Sequence, residues 1–134
     1  MTDADARPPL ASHQIGVLLV EDDALLRMDI SDKLEAFGLA VFEARDADAA
    51  LAILATRSDI RVMITDVDFI SGPMNGFDLA QRVTREWPGV GLIITSGRAR
   101  PTLGDLPPGS RFLPKPCSPR DLRSTVFALV ELEN

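Results

Sequence analysis

Short apolar segments alternate with segments of helical periodicity along most of this chain of 134 residues, and this alternation limits the folds that it can adopt. Four of the apolar segments, IGVLLV, LAVFEA, IRVMIT and VGLIIT, are continuous runs, which is typical of strands buried on both faces of a sheet. A shorter run, RFLP, follows later in the chain. Because strands that alternate with helices join through right-handed crossovers, the sequence predicts an α/β fold, with a doubly wound parallel sheet of five strands.

Residues that favour helix ends bound the segments between the predicted strands. Asp46 is placed to cap a helix over 46–57, and Pro88 ends the next helix. Ser118 caps the last helix, and Pro119 takes its first position, where a missing N–H group costs nothing. Apolar side chains recur at helical spacing on the predicted inner faces: Leu26, Ile30, Leu34 and Phe37 in the first helix, Leu79, Val83 and Trp87 in the third, and Leu122, Val126 and Leu129 in the last.

The chain has the length of one domain with a single core, which we expect over residues 15–134. The segment before it carries Pro8 and Pro9 and shows no periodic pattern. The sequence therefore predicts a disordered tail over residues 1–14.

Charge and composition exclude several classes of partner. The net charge of −6 argues against binding to nucleic acid or to an anionic membrane surface. No apolar run approaches the ~18 residues that a membrane-spanning helix needs, and the first residues lack the pattern of a secretory signal. Cys117 is the only cysteine, so no disulfide can form within the chain. We therefore expect a reducing, cytoplasmic location without membrane insertion.

Polar and charged side chains follow four of the five predicted strands. They are Glu21 and Asp22 after the first strand, Asp66 after the third, Thr95 at the end of the fourth, and Lys115 after the fifth. Ligands of open parallel sheets bind beyond the carboxyl ends of the strands, where these side chains would meet. Any one of them could be a helix cap or a solvated side chain, but their convergence on one edge predicts a site.

The charges of these side chains indicate phosphoryl transfer. Close carboxylates repel one another by a few kcal/mol per pair at an effective dielectric constant of about 20, so the site needs cations. One Mg²⁺ ion, which prefers oxygen ligands, and the Lys115 ammonium would supply three positive charges. The Thr95 hydroxyl can donate to a phosphoryl oxygen, and an ionised carboxylate such as that of Asp66 can act as a nucleophile without a base.

Two classes of protein fit such a site. Asp66 could be the phosphoryl acceptor of a signalling switch, or the nucleophile of a phosphatase in which Asp66 and Asp68 form a D-x-D motif. Phosphatases of the haloacid dehalogenase type place their metal-binding acids downstream of the lysine, where this chain has only Asp121, Glu131 and Glu133. The acidic pair after the first strand lies upstream instead, which favours the signalling switch.

The segments VLLVEDDALLR, MITDVDF, IITSG and FLPKPCS resemble, in order and spacing, the signature stretches of response regulator receiver domains of two-component signalling. The resemblance covers residues 15–132 and implies a flavodoxin-like fold with strand order 2-1-3-4-5. It also implies a protein that is not an enzyme beyond its own phosphorylation and slow dephosphorylation. A receiver-like domain that binds partners without being phosphorylated is the alternative within this fold.

The resemblance implies roles for the residues of the acidic edge. Asp66 matches the phosphorylated aspartate of the family. Asp22 matches a direct ligand of Mg²⁺ or Mn²⁺, and Glu21 matches a ligand that acts through water. The backbone carbonyl of Asp68 would be a further metal ligand.

A second set of matches concerns the switch that responds to phosphorylation. Thr95 matches the switch hydroxyl and Phe112 the switch aromatic residue. Lys115 matches the lysine of the family, whose bond to the following proline is usually cis, and Pro116 allows this.

The resemblance also implies the partners. A histidine kinase or a histidine phosphotransfer protein would donate the phosphoryl group, and an unnamed downstream protein would receive the signal by direct contact. The sequence leaves open whether the protein is an output regulator, a relay intermediate or a phosphate sink.

The segment between the fourth and fifth strands, GRARPTLGDLPPGS, is poor in helix formers, although receivers usually carry a helix there. It holds Pro101, Pro107 and Pro108 together with three glycines. A proline inside a helix costs about 3 kcal/mol relative to alanine and a glycine about 1 kcal/mol. The sequence therefore predicts that the fourth helix is shortened or replaced by a loop.

Overall fold

The computed structural model describes residues 5–11, 13–67, 74–97 and 106–132. The strands in this part of the chain are β1 (Gly16–Val20), β2 (Ala40–Ala44), β3 (Ile60–Asp66), β4 (Gly91–Ser96) and β5 (Arg111–Pro114). The helices are α1 (Ala24–Ala36), α2 (Ala47–Thr56), α3 (Gly76–Glu86) and α4 (Pro119–Leu132). Within the described residues, no helix is both long enough and apolar enough to cross a membrane.

The five strands form one parallel sheet in the order β2-β1-β3-β4-β5. This is the flavodoxin-like order, so the predicted fold class is confirmed. Because all strands run in the same direction, their carboxyl ends lie along one edge of the sheet. We call this edge the carboxyl edge.

Side chains of neighbouring strand residues alternate between two apolar clusters, one on each face of the sheet. Leu18 and Met63 belong to the cluster beneath α2 and α3, whereas Leu19 and Ile64 belong to the cluster beneath α1 and α4. All four side chains are almost completely buried. Burial of a side chain of this size contributes about 1.5–3 kcal/mol, and the need for it on both faces explains the continuous apolar runs.

Side-chain caps begin α2 and α4 at the predicted places, and α3 begins with a cap that was not predicted. Asp46 Oδ1 accepts a hydrogen bond of 2.9 Å from an N–H group in the first turn of α2. Ser118 Oγ accepts one of 3.0 Å from the first turn of α4. Asn75 and Asp78 form a reciprocal capping box at the start of α3.

The inner faces of the helices agree with the sequence pattern except at the start of α1. Leu122, Val126 and Leu129 of α4 are buried, as is Leu34 of α1. Leu26 is 41% exposed, so the prediction that it faces inward is wrong. The first turn of α1 begins where the strands end, and it therefore extends past the part of the sheet that could cover it.

Several of the described residues ahead of β1 contact the rest of the domain, whereas the sequence predicts a disordered tail over residues 1–14. The Arg57 guanidinium donates to the Arg7 carbonyl oxygen at 2.7 Å, and the Leu10 N–H group donates to Asp59 Oδ2 at 3.1 Å. These contacts hold the described part of the segment in place. The disordered tail over residues 1–14 stays a prediction, and contacts with a distant arginine leave no periodic pattern in the segment itself that the sequence could have shown.

Arg57 joins three parts of the chain. The guanidinium carbons of Arg7 and Arg57 lie 3.8 and 4.4 Å from the ring centroid of Phe42 on β2. Arg57 also pairs with Asp59 at two points, Nε to Oδ1 at 2.9 Å and Nη2 to Oδ2 at 2.6 Å. Its side chain is only 5% exposed. We call these four residues, Arg7, Phe42, Arg57 and Asp59, the Arg57 clamp.

Between β4 and β5 the structure describes Gly97 and residues 106–110, and none of these is helical. Ser110 donates its backbone N–H group to the Pro107 carbonyl oxygen at 3.1 Å, and Gly109 has a φ of 83°. A turn with Gly109 in this conformation leads the chain into β5. The predicted loss of the fourth helix concerns mainly residues 98–105, which lie outside the described residues.

Candidate functional site

Glu21 follows β1 and lies buried at the carboxyl edge of the sheet. Its N–H group donates to the Ala44 carbonyl oxygen at 3.0 Å, which ties it to the end of β2. Glu21 Oε2 accepts from the Asp23 N–H group at 3.1 Å, and Oε1 accepts from Lys115 Nζ at 2.6 Å. The backbone and both carboxylate oxygens of Glu21 are therefore held in place.

Asp66 is the last residue of β3, and its carboxylate is buried beside Lys115. The distance from Asp66 Oδ2 to Lys115 Nζ is 3.1 Å. Asp66 is paired with Thr95 in the register of β3 and β4, and the Val67 N–H group donates to the Thr95 carbonyl oxygen at 3.0 Å. The sheet, rather than a free loop, therefore positions the Asp66 backbone.

Lys115 follows β5 and contacts both buried acids. Its N–H group donates to the Ser96 carbonyl oxygen at 2.9 Å, and its peptide bond to Pro116 is cis, as the resemblance implies. Burial lowers the pKa of Lys115, but the hydrogen bond to Glu21 and the negative charge of Asp66 more than offset this effect. The pKa of Lys115 is therefore raised, and its ammonium group stays charged.

Carboxylate oxygens of Glu21, Asp22 and Asp66 lie within 4.8 Å of one another, and we call these residues the acidic cluster. Burial raises the pKa of Glu21, the hydrogen bond from Lys115 opposes this, and the charge of Asp66 raises it further. Lys115 contacts two of these three carboxylates, those of Glu21 and Asp66. A set of carboxylate oxygens suits a hard cation such as Mg²⁺ or Mn²⁺, so these residues could hold one.

The predicted switch residues lie on β4 and β5. Thr95 is buried, and its hydroxyl donates to the Thr65 carbonyl oxygen at 3.5 Å. Phe112 is half-buried and packs against the cluster beneath α2 and α3. Thr95 and Lys115 both line a cavity of about 330 Å³ that opens beside α1. Asp68, whose carbonyl was predicted to bind metal, lies outside the described residues.

Two residues that the sequence analysis missed support the acidic cluster from outside. Arg27 Nη1 donates to the Glu21 carbonyl oxygen at 2.8 Å. The second residue is Gly76, which has no room for a side chain. A Cβ atom added there would lie 2.6 Å from Val67 Cα and closer still to the Asp66 carbonyl oxygen. A glycine at the first position of a helix is a signal that could have revealed this close approach, because glycine is a poor helix former.

Gly76→Ala is expected to lower the free energy of unfolding by about 1–3 kcal/mol, because the added methyl group would overlap the backbone that carries Asp66. Urea-induced unfolding measures this change. Gly89→Ala is the matched control, since a Cβ atom there meets nothing within 4 Å. The control is expected to be unchanged or up to about 1 kcal/mol more stable. Equal stabilities of the two variants would contradict the close approach at Gly76.

Comparison with known proteins identifies the family. A family model described as the response regulator receiver domain matches residues 17–127. The sensor kinase CckA of Brucella abortus (strain 2308) is 31% identical over 122 residues, which are 88% of this chain and 13% of that kinase. The chain therefore spans a small part of that relative.

Solved structures share the fold along nearly the whole chain. A response regulator receiver protein from Sinorhizobium medicae WSM419 has a TM-score of 0.83 and 24% identity, covering 92% of this chain and 100% of that one. The receiver domain of the hybrid histidine kinase CckA has a TM-score of 0.72 and 28% identity, covering 86% and 98%. With its family model matched from β1 into α4, this chain belongs to the response regulator receiver domains of two-component signalling.

Proposed function

We propose that this protein is a cytoplasmic receiver that accepts a phosphoryl group on Asp66 from the phosphohistidine of a histidine kinase or a histidine phosphotransfer protein. The observation that carries the proposal is the position of Asp66, 3.1 Å from an ammonium group and within an acidic cluster. An Asp66 oxygen would attack the phosphorus atom, and the bond from phosphorus to the imidazole nitrogen would break. The product would be an acyl phosphate on Asp66 and a free histidine.

The chain's own side chains would stabilise the transferred group. Mg²⁺ bound at the acidic cluster would supply positive charge that offsets the repulsion between the acids and the incoming phosphoryl group. Lys115 Nζ would exchange its contact with Glu21 for a phosphoryl oxygen. Because Lys115 contacts Asp66 and follows β5, this exchange would couple the charge on Asp66 to the segment that follows β5.

The switch residues would carry the change away from the site. The Thr95 hydroxyl now faces the Thr65 carbonyl oxygen and would turn toward a phosphoryl oxygen. Phe112, which is half-buried, would then change its packing and alter the surface that a downstream protein contacts. The backbone carbonyl of Asp68 stays a predicted metal ligand.

The exposed side of α1 supports a protein partner at this edge. Leu25, Leu26 and Met28 are large apolar side chains with exposed fractions of 77%, 41% and 59%. Leu26 also lines the cavity that reaches Thr95 and Lys115. A helix of the phosphodonor could pack on these apolar side chains and present its phosphohistidine to the acidic cluster.

Phosphorylation by a small acyl phosphate tests the proposal directly. With Mg²⁺ present, intact-mass measurement is expected to show one added phosphoryl group, and EDTA is expected to suppress it. Phosphotransfer from purified histidine kinases of the source organism would then identify the donor. Full phosphorylation in EDTA would contradict the metal requirement. A chain that no donor phosphorylates in Mg²⁺ would instead support a receiver-like binding module.

A panel of sugar and aryl phosphates separates the receiver from a phosphatase. We expect no multiple turnover of these phosphomonoesters, because the proposed chemistry is confined to the chain's own aspartyl phosphate. Rapid turnover that is lost in Asp68→Asn would support the phosphatase instead.

A further inference from the structure

Arg27 lies beside the acidic cluster without belonging to it. Its Nη1 donates to the Glu21 carbonyl oxygen at 2.8 Å, and its Nε donates to Glu43 Oε1 at 3.1 Å. The Arg27 side chain is 22% exposed. One guanidinium group therefore connects α1, the loop after β1 and the strand β2.

The Glu21 carbonyl belongs to the peptide group that joins Glu21 to Asp22, two adjacent acids of the cluster. Because a peptide group is planar, a hydrogen bond that fixes its oxygen also restrains the Cα atom that follows. The N–H group and both carboxylate oxygens of Glu21 are already held by other partners. The contact from Arg27 extends this restraint to Asp22.

We infer that Arg27 is a positioning residue of the divalent-cation site, which orients the peptide between Glu21 and Asp22 so that the Asp22 carboxylate converges with Asp66. Glu43 holds the guanidinium in the required orientation. The inference rests on the proposed metal-dependent function and extends it to a residue that is not a metal ligand. Loss of such supporting partners typically weakens metal binding by about 10- to 100-fold.

Charge and geometry predict opposite effects of removing Arg27. A guanidinium repels a divalent cation, so its removal would tighten Mg²⁺ binding if local charge were its whole effect. Loss of positioning would weaken Mg²⁺ binding instead. Arg27→Lys keeps the charge, but one ammonium group cannot reproduce the planar fork that meets a carbonyl oxygen and the Glu43 carboxylate together. Arg27→Gln removes both the charge and the fork.

Calorimetric titration of the unphosphorylated full chain with Mg²⁺ tests the inference. Arg27→Lys and Arg27→Gln are each expected to bind Mg²⁺ about tenfold more weakly than the wild-type protein. Glu43→Gln is expected to weaken binding by a smaller factor, because its amide oxygen can still accept from Arg27. Lys33→Gln is the matched charge control, since it removes one positive charge from an ion pair with Asp29 on the same helix. Its Mg²⁺ affinity is expected to stay unchanged.

Wild-type or tighter Mg²⁺ binding by Arg27→Gln would overturn the role of Arg27 and leave the metal site intact. A wild-type chain that binds no Mg²⁺ would overturn the metal site and, with it, this inference. If Arg27→Gln does not fold, Arg27→Lys and the surface change Glu43→Gln carry the test. The amide chemical shift of Asp22 can be measured without any metal ion. It is expected to change in both Arg27 variants and to remain unchanged in Lys33→Gln.

Discussion

Asp66→Asn is expected to abolish the phosphoryl adduct that the wild-type protein forms with a small acyl phosphate and Mg²⁺. The amide of asparagine has nearly the same shape as the carboxylate but lacks the negative charge that attacks phosphorus. The fold should persist, because the change also removes one of three mutually repelling carboxylates from the carboxyl edge. Intact-mass measurement after a time course gives the result, and an adduct that forms as fast in Asp66→Asn would contradict the assignment.

Asp22→Asn is the matched control for this result. It makes the same chemical change within the same acidic cluster but leaves the Asp66 carboxylate in place. Its adduct is expected to form more slowly and to need more Mg²⁺, because one metal ligand is weakened. A complete loss that extra Mg²⁺ does not restore would mean that Asp22, and not Asp66 alone, is essential to the transfer step.

Arg57→Ala is expected to lower the free energy of unfolding by about 3 kcal/mol, a large part of the 5–15 kcal/mol typical of a domain. The change leaves Asp59, whose side chain is 25% exposed, without its two-point partner and removes donors from the carbonyl oxygens of Arg7 and Pro8. Urea-induced unfolding measures the loss. Arg45→Ala is the matched control, because Arg45 is 81% exposed and lies 3.8 Å from Asp46. Its effect should stay below about 0.5 kcal/mol.

The effect of Arg57→Ala should also depend on pH. The hydrogen bond from Arg57 is the main cause that holds the pKa of Asp59 below its usual value. A lowered pKa in the folded state contributes stability above the unfolded pKa of about 3.9, and this contribution is lost as the pH falls further. The difference in stability between the wild type and Arg57→Ala should therefore narrow below about pH 4. A constant difference across that range would contradict the ion pair with Asp59.

The strands could be predicted because their cause is local and repeated, whereas their order in the sheet was implied by the resemblance to receiver domains. Continuous apolar runs require burial on both faces, and each predicted strand agrees with the structure within one residue at either end. The convergence of Glu21, Asp66 and Lys115 also follows from parallel strands, since residues after such strands share one edge. These features depend on the residue types and on the topology alone.

The contacts that the sequence could not predict depend on distant backbone atoms. Arg57 reaches the Arg7 carbonyl oxygen across 50 positions of the chain, and any residue at position 7 would offer the same carbonyl group. The contact of Arg27 with the Glu21 carbonyl oxygen could not be predicted for the same reason, because any residue at position 21 would offer that carbonyl group. Leu26 shows a further limit, because helical spacing gives the direction of a side chain but not where the sheet beneath it ends.

The Arg57 clamp and the acidic cluster lie at opposite ends of the sheet. Asp59 precedes β3 and Asp66 ends it, so the seven residues of this strand separate them by about 20 Å. A biotin group attached at position 5, whose carbonyl oxygen accepts from Arg57, would therefore lie at the end of the sheet opposite Asp66. Protein molecules immobilised through this group would turn the end of the sheet that carries Asp66 toward the solution. A sensor surface could then measure how a phosphodonor binds to molecules that share this orientation.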